Sequence, residues 1–117
     1  MVLFVVQKGE RNSFDQRWLE YALWETHNLA TVRLSLSQVQ ACGELRGPRR
    51  QLFVQGRHVA VVYFRAGYTP EDYPSEAEWA ARTLLERSLA VKCPSIQVTN
   101  LKLHQSLNQR TNEPKLN

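Results

Sequence analysis

Residues 59–68, Val-Ala-Val-Val-Tyr-Phe-Arg-Ala-Gly-Tyr, decide the fold. Val59 to Phe64 are too few for a helix of ordinary length and are rich in β-branched and aromatic types. They therefore read as a strand buried on both faces within a largely parallel sheet. The run stops at an arginine, a glycine and a second tyrosine. In open α/β sheets ligands lie beyond the carboxyl ends of such strands, which makes Arg65, Gly67 and Tyr68 candidates for a binding site. The plain alternative is that Arg65 only marks where the strand meets water.

Working upstream, Leu52-Phe53-Val54 and the turn Gln55-Gly56-Arg57 form a small hairpin feeding this strand. Gly47-Pro48-Arg49-Arg50 is a loop. Leu36 to Cys42 is a short helix capped by Ser35 or Ser37 and stopped by Gly43. Ala30 to Leu34 is a strand, its β-branched residues outweighing imperfect alternation. At the start, Val2 to Val6 is an apolar strand that ends in the polar turn Gln7-Lys8-Gly9-Glu10-Arg11-Asn12. Ser13, with Gln16 three residues on, opens a helix over about Phe14 to Thr26, with Phe14, Trp18, Ala22, Leu19 and Leu23 on its inner face. Strand, helix and strand make a βαβ unit.

Downstream, the two prolines of Thr69-Pro70-Glu71-Asp72-Tyr73-Pro74 forbid a helix and predict a rigid loop over the strand ends. Ser75 with Glu78 opens a helix from Glu76 to about Ala90, with Trp79, Thr83 and Leu84 inward and Glu76, Glu86 and Arg87 facing water or salt partners. Trp18, Trp24 and Trp79 are expected as core or interface anchors. Ile96 to Val98 is a final strand. From Thr99 the chain turns polar, so the expected organisation is one domain over residues 1–98 and a partly disordered tail over 99–117. The fold class is α/β: three layers, α/β/α, with a mostly parallel sheet and a small antiparallel hairpin.

Composition narrows the function. With 43% hydrophobic and 22% charged residues in 117, the chain is an ordinary globular domain and not a disordered segment. No apolar run approaches the roughly 20 residues that span a bilayer, and no basic region precedes the first apolar run, so a cytoplasmic protein without a membrane role is expected. Cys42 and Cys93 are distant from one another and from any histidine at ligand spacing, which predicts reduced thiols. The net charge of +4 is scattered over Arg46, Arg49, Arg50, Arg57 and the tail without interleaved aromatics, so nucleic acid is not an expected partner. His27, His58 and His104 form no metal or nucleophile pattern, and there is no phosphate loop or nucleophile elbow. The residues alone give a small-molecule binding domain without its own reaction machinery.

Two loops carry that binding. Glu10, Arg11 and Asn12 follow the first strand, and Gln16 stands one turn into the next helix, where an anionic or zwitterionic ligand would meet arginine for a carboxylate and glutamate for an ammonium. The alternative is an exposed turn with a helix cap. Arg65 to Tyr68 would lie beside it at a neighbouring strand end.

At these residues the chain resembles a family. Gln7-Lys8-Gly9-Glu10-Arg11-Asn12-Ser13-Phe14-Asp15-Gln16 is similar to the Glu-Arg-Asn-x-Phe-Asp-Gln segment of eukaryotic glutathione synthetases, and Val61-Val62-Tyr63-Phe64-Arg65-Ala66-Gly67-Tyr68 to their Tyr-Phe-Arg-x-Gly-Tyr segment. Ala81 to Ser88 and Lys92-Cys93-Pro94-Ser95-Ile96 resemble a later helix and Lys-Cys-Pro segment, in the same order and spacing. The resemblance implies a substrate-binding domain, set beside an ATP-grasp body, of an enzyme that ligates glycine to γ-glutamylcysteine at the expense of ATP. By match, Glu10, Arg11, Asn12, Gln16, Arg65, Ala66, Gly67 and Tyr68 would line the γ-glutamylcysteine or glutathione site. Arg65 would clamp a carboxylate, Glu10 meet an ammonium, and Tyr68, Asn12 and Gln16 orient hydrogen bonds. The Thr-Lys-Lys segment that follows in the family is kept only loosely at Thr99 to His104, so Lys102 is not carried over. No catalytic residue or metal ligand is expected in this chain. ATP and Mg2+ are expected only in a full-length enzyme, itself a homodimer, and the chain alone is expected to be inactive. The other reading is a truncated, non-catalytic binding or interaction protein that keeps the fold.

Overall fold

Four apolar residues in a row, Val2–Val5, form strand β1 of a computed structural model that describes residues 1–9 and 13–94, with backbone only for 13–15. Helix α1 (Ser13–His27) returns the chain to strand β2 (Thr31–Leu34), and helix α2 (Leu36–Cys42) follows at once. Ser35 caps α2 through its hydroxyl, which accepts from the Gln38 N–H, while the Gln38 side chain accepts from the Ser35 N–H at 2.9 Å. Strands β3 (Gly43–Arg46), β4 (Gln51–Val54) and β5 (Arg57–Val59) make a small antiparallel sheet in that order. Strand β6 (Val61–Phe64), a 3-10 turn (Pro70–Asp72), helix α3 (Glu76–Arg87) and strand β7 (Val91–Cys93) complete the described chain.

The main sheet is ordered β2-β1-β6-β7, with every pair parallel. The chain leaves β1 towards β2 on one side and then crosses to β6 on the other. Right-handed crossovers therefore put α1 on one face and α2 and α3 on the opposite face. Register fixes which residues share a face: Leu3 aligns with Val32 and Val62, and Val5 with Leu34 and Phe64. These side chains meet Val39 of α2, Leu52, Val54 and Val59 of the small sheet, and Trp79, Ala81 and Leu85 of α3 in one core. Burying each such aliphatic side chain stabilises by about 1.5–3 kcal/mol.

The α/β class, the three layers and the parallel central sheet agree with the sequence reading. The antiparallel strands, however, form a separate three-stranded sheet, and the run Val59 to Phe64 is split. Val59 ends β5 and Ala60 breaks the strand before Val61 starts β6, the Ala60 N–H donating to the Met1 carbonyl at 3.1 Å. Nor is β6 buried equally on both faces: Val62 and Phe64 are fully buried, whereas Val61 and Tyr63 are half-buried. The prolines at 69–74 do not forbid helical geometry, because Pro70 sits at the first position of the 3-10 turn, where no N–H is needed. Helix α3 ends at Arg87, and the closing strand is Val91–Cys93. Ile96 to Val98 and the tail 99–117 lie outside the described residues.

The largest correction concerns α1. Trp18 (77% exposed), Ala22 and Trp24 face water, and Leu19 is also exposed, while the face turned to the sheet carries buried Gln16 and half-buried Glu20 and Leu23. The cause stands on β2. Arg33 donates from Nη2 to the Gln16 Oε1 at 2.6 Å, and its Nη1 lies 3.5 Å from a Glu20 carboxylate oxygen. A strand arginine pointing at the helix selects the polar stripe as the inner one, because a buried guanidinium left without acceptors is costly. Only Trp79 is a core anchor, stacked on Tyr73 with centroids 4.2 Å apart.

Candidate functional site

The carboxyl ends of β1 and β6 emerge together. The Arg65 N–H donates to the Val5 carbonyl at 2.8 Å, and the Val6 N–H to Leu34 of β2 at 3.0 Å, so residues 6–9 and 65–68 start from adjacent positions on one sheet edge. This is the point where strand order reverses, and in open α/β sheets a crevice forms there because the connections diverge to opposite faces. Two open clefts flank it. One, of about 550 Å3, lies between the ends of β1 and β2 and is lined by Lys8, Arg17, Arg33, Ser35 and Ser37. The other, of about 280 Å3, lies towards α3 and is lined by Gln7, Lys8, Ala66, Glu71, Asp72 and Glu78. Basic groups thus border one cleft and carboxylates the other, with Gln7 and Lys8 between them.

Arg65 follows Tyr63 on the α1 side of the sheet by strand alternation. Its guanidinium carbon lies 5.9 Å from the Tyr63 ring centroid, and its Nη1 is 3.4 Å from the Tyr63 hydroxyl. Its Nε is buried with no hydrogen-bond partner among the described residues, an unmet donor at this strand end. Ala66 is buried, and Gly67 is required as glycine twice over. Its φ is +92°, and a Cβ there would lie 2.9 Å from the Tyr73 hydroxyl. Tyr68 is 36% exposed, yet its hydroxyl donates to the Phe64 carbonyl, so its donor is spent on its own loop and only its ring and oxygen lone pairs stay free of that bond. Burial, more than its neighbour Tyr63, holds the Tyr68 phenol above its ordinary ionisation range.

Gln16 is 2% exposed, does not line the larger cleft itself, and has its oxygen held by Arg33, which does. A guanidinium has no acceptor, so the carboxamide oxygen must face Arg33 and its N–H2 end points elsewhere. Glu10, Arg11 and Asn12 lie outside the described residues. The structure therefore brings Arg65, Ala66, Gly67 and Tyr68 to the switch point, with Gln16 joined to the neighbouring cleft through Arg33.

Two residues at this edge escaped the sequence reading. Arg33 gave no local signal, since its partners stand 13 and 17 positions away on another element. Asp72 did give one. Its Oδ2 accepts from the N–H groups of Gly67 and Tyr68, both at 3.0 Å, and of Thr69 at 3.4 Å. Thr69-x-x-Asp72 repeats the spacing of Ser75-x-x-Glu78, which caps α3. Behind the loop, Tyr73 donates its hydroxyl proton to the Gly67 carbonyl at 3.1 Å, and Arg82 lies 3.4 Å from the same hydroxyl. Arg82 is fully buried, 3.9 Å from the Phe64 ring centroid, and paired with Glu86 at 2.8 Å. Burial is the main cause that raises the Tyr73 phenol's pKa. His27 and His58 are exposed, and both cysteines are free thiols. Among the described residues no group of three or more His, Cys, Asp or Glu is arranged to hold a metal ion, and no helix is long and apolar enough to cross a membrane.

Comparison with known proteins adds the family. The profile described as eukaryotic glutathione synthase matches residues 1–101. Among curated proteins, the chain is 54% identical over 96 residues to a chloroplastic glutathione synthetase of Solanum lycopersicum, covering 82% of this chain and 17% of that protein. It is 46% identical over 99 residues to glutathione synthetase of Dictyostelium discoideum (82% and 21%), and 44% identical over 114 residues to that of Homo sapiens (97% and 23%). The chain spans about a fifth of the length of the curated relatives it matches. With the profile running through both strand-end loops and across most of the sequence, the chain belongs to the eukaryotic glutathione synthase family.

Proposed function

We propose that this chain is the substrate-binding domain of a glutathione synthetase, holding γ-glutamylcysteine or glutathione at the carboxyl edge of the sheet. The observation that carries the reading is the adjacency of β1 and β6, which starts Gln7 to Gly9 and Arg65 to Tyr68 side by side at the switch point. Arg65, whose Nε has no partner among the described residues, clamps a substrate carboxylate or carbonyl, and Tyr68 supplies a ring wall. Glu10, Arg11 and Asn12, which follow Gly9 in the sequence, are assigned to the same site by the family resemblance. The reaction of the whole enzyme, ATP-dependent joining of glycine to γ-glutamylcysteine, is assigned to a longer polypeptide whose remaining parts supply ATP and Mg2+. Dimerisation belongs to that full-length enzyme, and the cytoplasm is its compartment, which fractionation checks.

The test is a titration of the purified chain with γ-glutamylcysteine and with glutathione by calorimetry or NMR, repeated with ATP and Mg2+ while phosphate release is assayed. Binding without release, with shifts at Gln16, Arg65 and Tyr68, is the expected result. No binding at millimolar ligand overturns the reading. Arg65→Ala should weaken binding about tenfold or more, the size of one lost charge-assisted hydrogen bond, without a matching loss of stability. A second reading, an interaction module that keeps the fold, is favoured by the exposed Trp18, Tyr21 and Trp24 of α1, since exposed aromatics in one place mark a surface that another polypeptide covers.

A further inference from the structure

We propose that Asp72 is the positioning residue of the substrate loop: a resident carboxylate that occupies the backbone N–H groups of Gly67, Tyr68 and Thr69, and so fixes Arg65 and Tyr68 at the switch point before any ligand arrives. The inference rests on the substrate reading above. Three N–H groups converge on one oxygen, Oδ2, at 3.0, 3.0 and 3.4 Å, while Oδ1 lies 3.5 Å from Nε2 of Gln7 on the loop after β1. One side chain thereby spans both loops of the site. Asp72 is itself held, because its own N–H donates to the Thr69 carbonyl at 3.0 Å within the 3-10 turn that Pro70 begins. The Gly67 peptide is gripped from the other side by the Tyr73 hydroxyl, so the loop has fixed partners on both faces.

The arrangement has a chemical consequence. Successive backbone N–H groups in such a turn make an anion-binding concavity. Here that concavity already holds an anion of the chain, so a substrate carboxylate cannot use it. The substrate's anionic end must be met by side chains instead, and Arg65 is the cation the loop presents. Asp72 thus sets both the shape of the loop and the polarity of what it offers.

The test compares the wild-type 117-residue chain with Asp72→Ala and Asp72→Asn. Amide exchange is followed at Gly67, Tyr68 and Thr69, and γ-glutamylcysteine and formate are titrated separately. In Asp72→Ala the three amides should lose protection and γ-glutamylcysteine affinity should fall about tenfold, as for a loop losing charge-assisted hydrogen bonds. Formate should bind in the vacated concavity, shifting those amides and restoring part of the affinity. Asp72→Asn, which keeps an acceptor oxygen of nearly the same shape, should lie between the two and guards against a folding defect in the alanine variant. Rescue by formate is an outcome that a merely structural role would not produce. Unprotected amides in the wild type, or unchanged γ-glutamylcysteine affinity in Asp72→Ala despite faster exchange, overturn the proposal. If the wild type binds no γ-glutamylcysteine, the substrate reading fails. Formate shifts in Asp72→Ala, absent from the wild type, then still decide whether Asp72 is the resident anion.

Discussion

Leu3, Val5, Val62 and Phe64 point to one face of the parallel sheet and are sealed from water by α2, α3 and the small sheet. On the other face of the same strands, Val61 and Tyr63 are half-buried, and Val91 and Cys93 are exposed. Among the described residues that face is roofed by α1 alone, which lies over the β1 and β2 side and turns Gln16 and Glu20 towards Arg33. The difference teaches that the two layers of helix do different work. The closed face is where apolar burial holds the fold together, whereas the α1 face is organised by a guanidinium and its acceptors and leaves aromatic surface uncovered. The candidate site stands at the edge where the two faces meet.

The sharpest way to break this comparison is to mutate each face and measure unfolding by urea. Phe64→Ala removes a fully buried ring that packs under Arg82 and should cost about 3–5 kcal/mol. Glu86→Ala comes next. It strands the fully buried Arg82 without its carboxylate and should cost about 2–3 kcal/mol, at the low end for a broken buried pair because the Glu86 side chain is 21% exposed. Tyr73→Phe should cost about 1 kcal/mol at neutral pH through the lost bond to the Gly67 carbonyl. That difference has a pH dependence with a definite sign. Burial raises the folded Tyr73 phenol above the ordinary value of 10.0, so its contribution is complete below that pH. It fades as the pH rises further, because the unfolded chain ionises first. The gap between wild type and Tyr73→Phe should therefore narrow in alkali, and a constant gap would contradict the buried, neutral hydroxyl. Smallest of all, Trp18→Ser and Trp24→Ser on the α1 face should change stability by no more than about 0.5 kcal/mol. A loss from either that matched Phe64→Ala would erase the distinction between the faces.

Much of the closed face was legible because its signals are local. Val2 to Val5, the Ser35 cap of α2 and the Ser75 and Glu78 start of α3 each announce themselves within a few residues. The α1 face was misread because its decisive interaction is not local. An apolar stripe containing Trp18 and Ala22 looks like a core face until Arg33, arriving on β2, asks for the opposite side. Strand β7 escaped for the same reason: Val91 to Cys93 are a strand only because β6 offers them a ladder. At the site, the place of Arg65, Gly67 and Tyr68 at a strand end was readable from the run of residues 59–68. The commitment of the Tyr68 hydroxyl to Phe64, and the hold of Arg33 on Gln16, depend on distances that no spacing encodes.

The distribution of tryptophans gives the protein a built-in pair of optical probes. Trp79 stacks on Tyr73 inside the closed layer, whereas Trp18 and Trp24 are 77% and 58% exposed on α1. A water-soluble quencher such as iodide should extinguish the emission of the two α1 indoles while sparing Trp79. A polypeptide that settles on α1 should shift the red, quenchable part of the spectrum to the blue without touching the rest. Melting of the core should do the reverse, moving the protected component to the red, so that one fluorescence spectrum separates docking from unfolding without any added label.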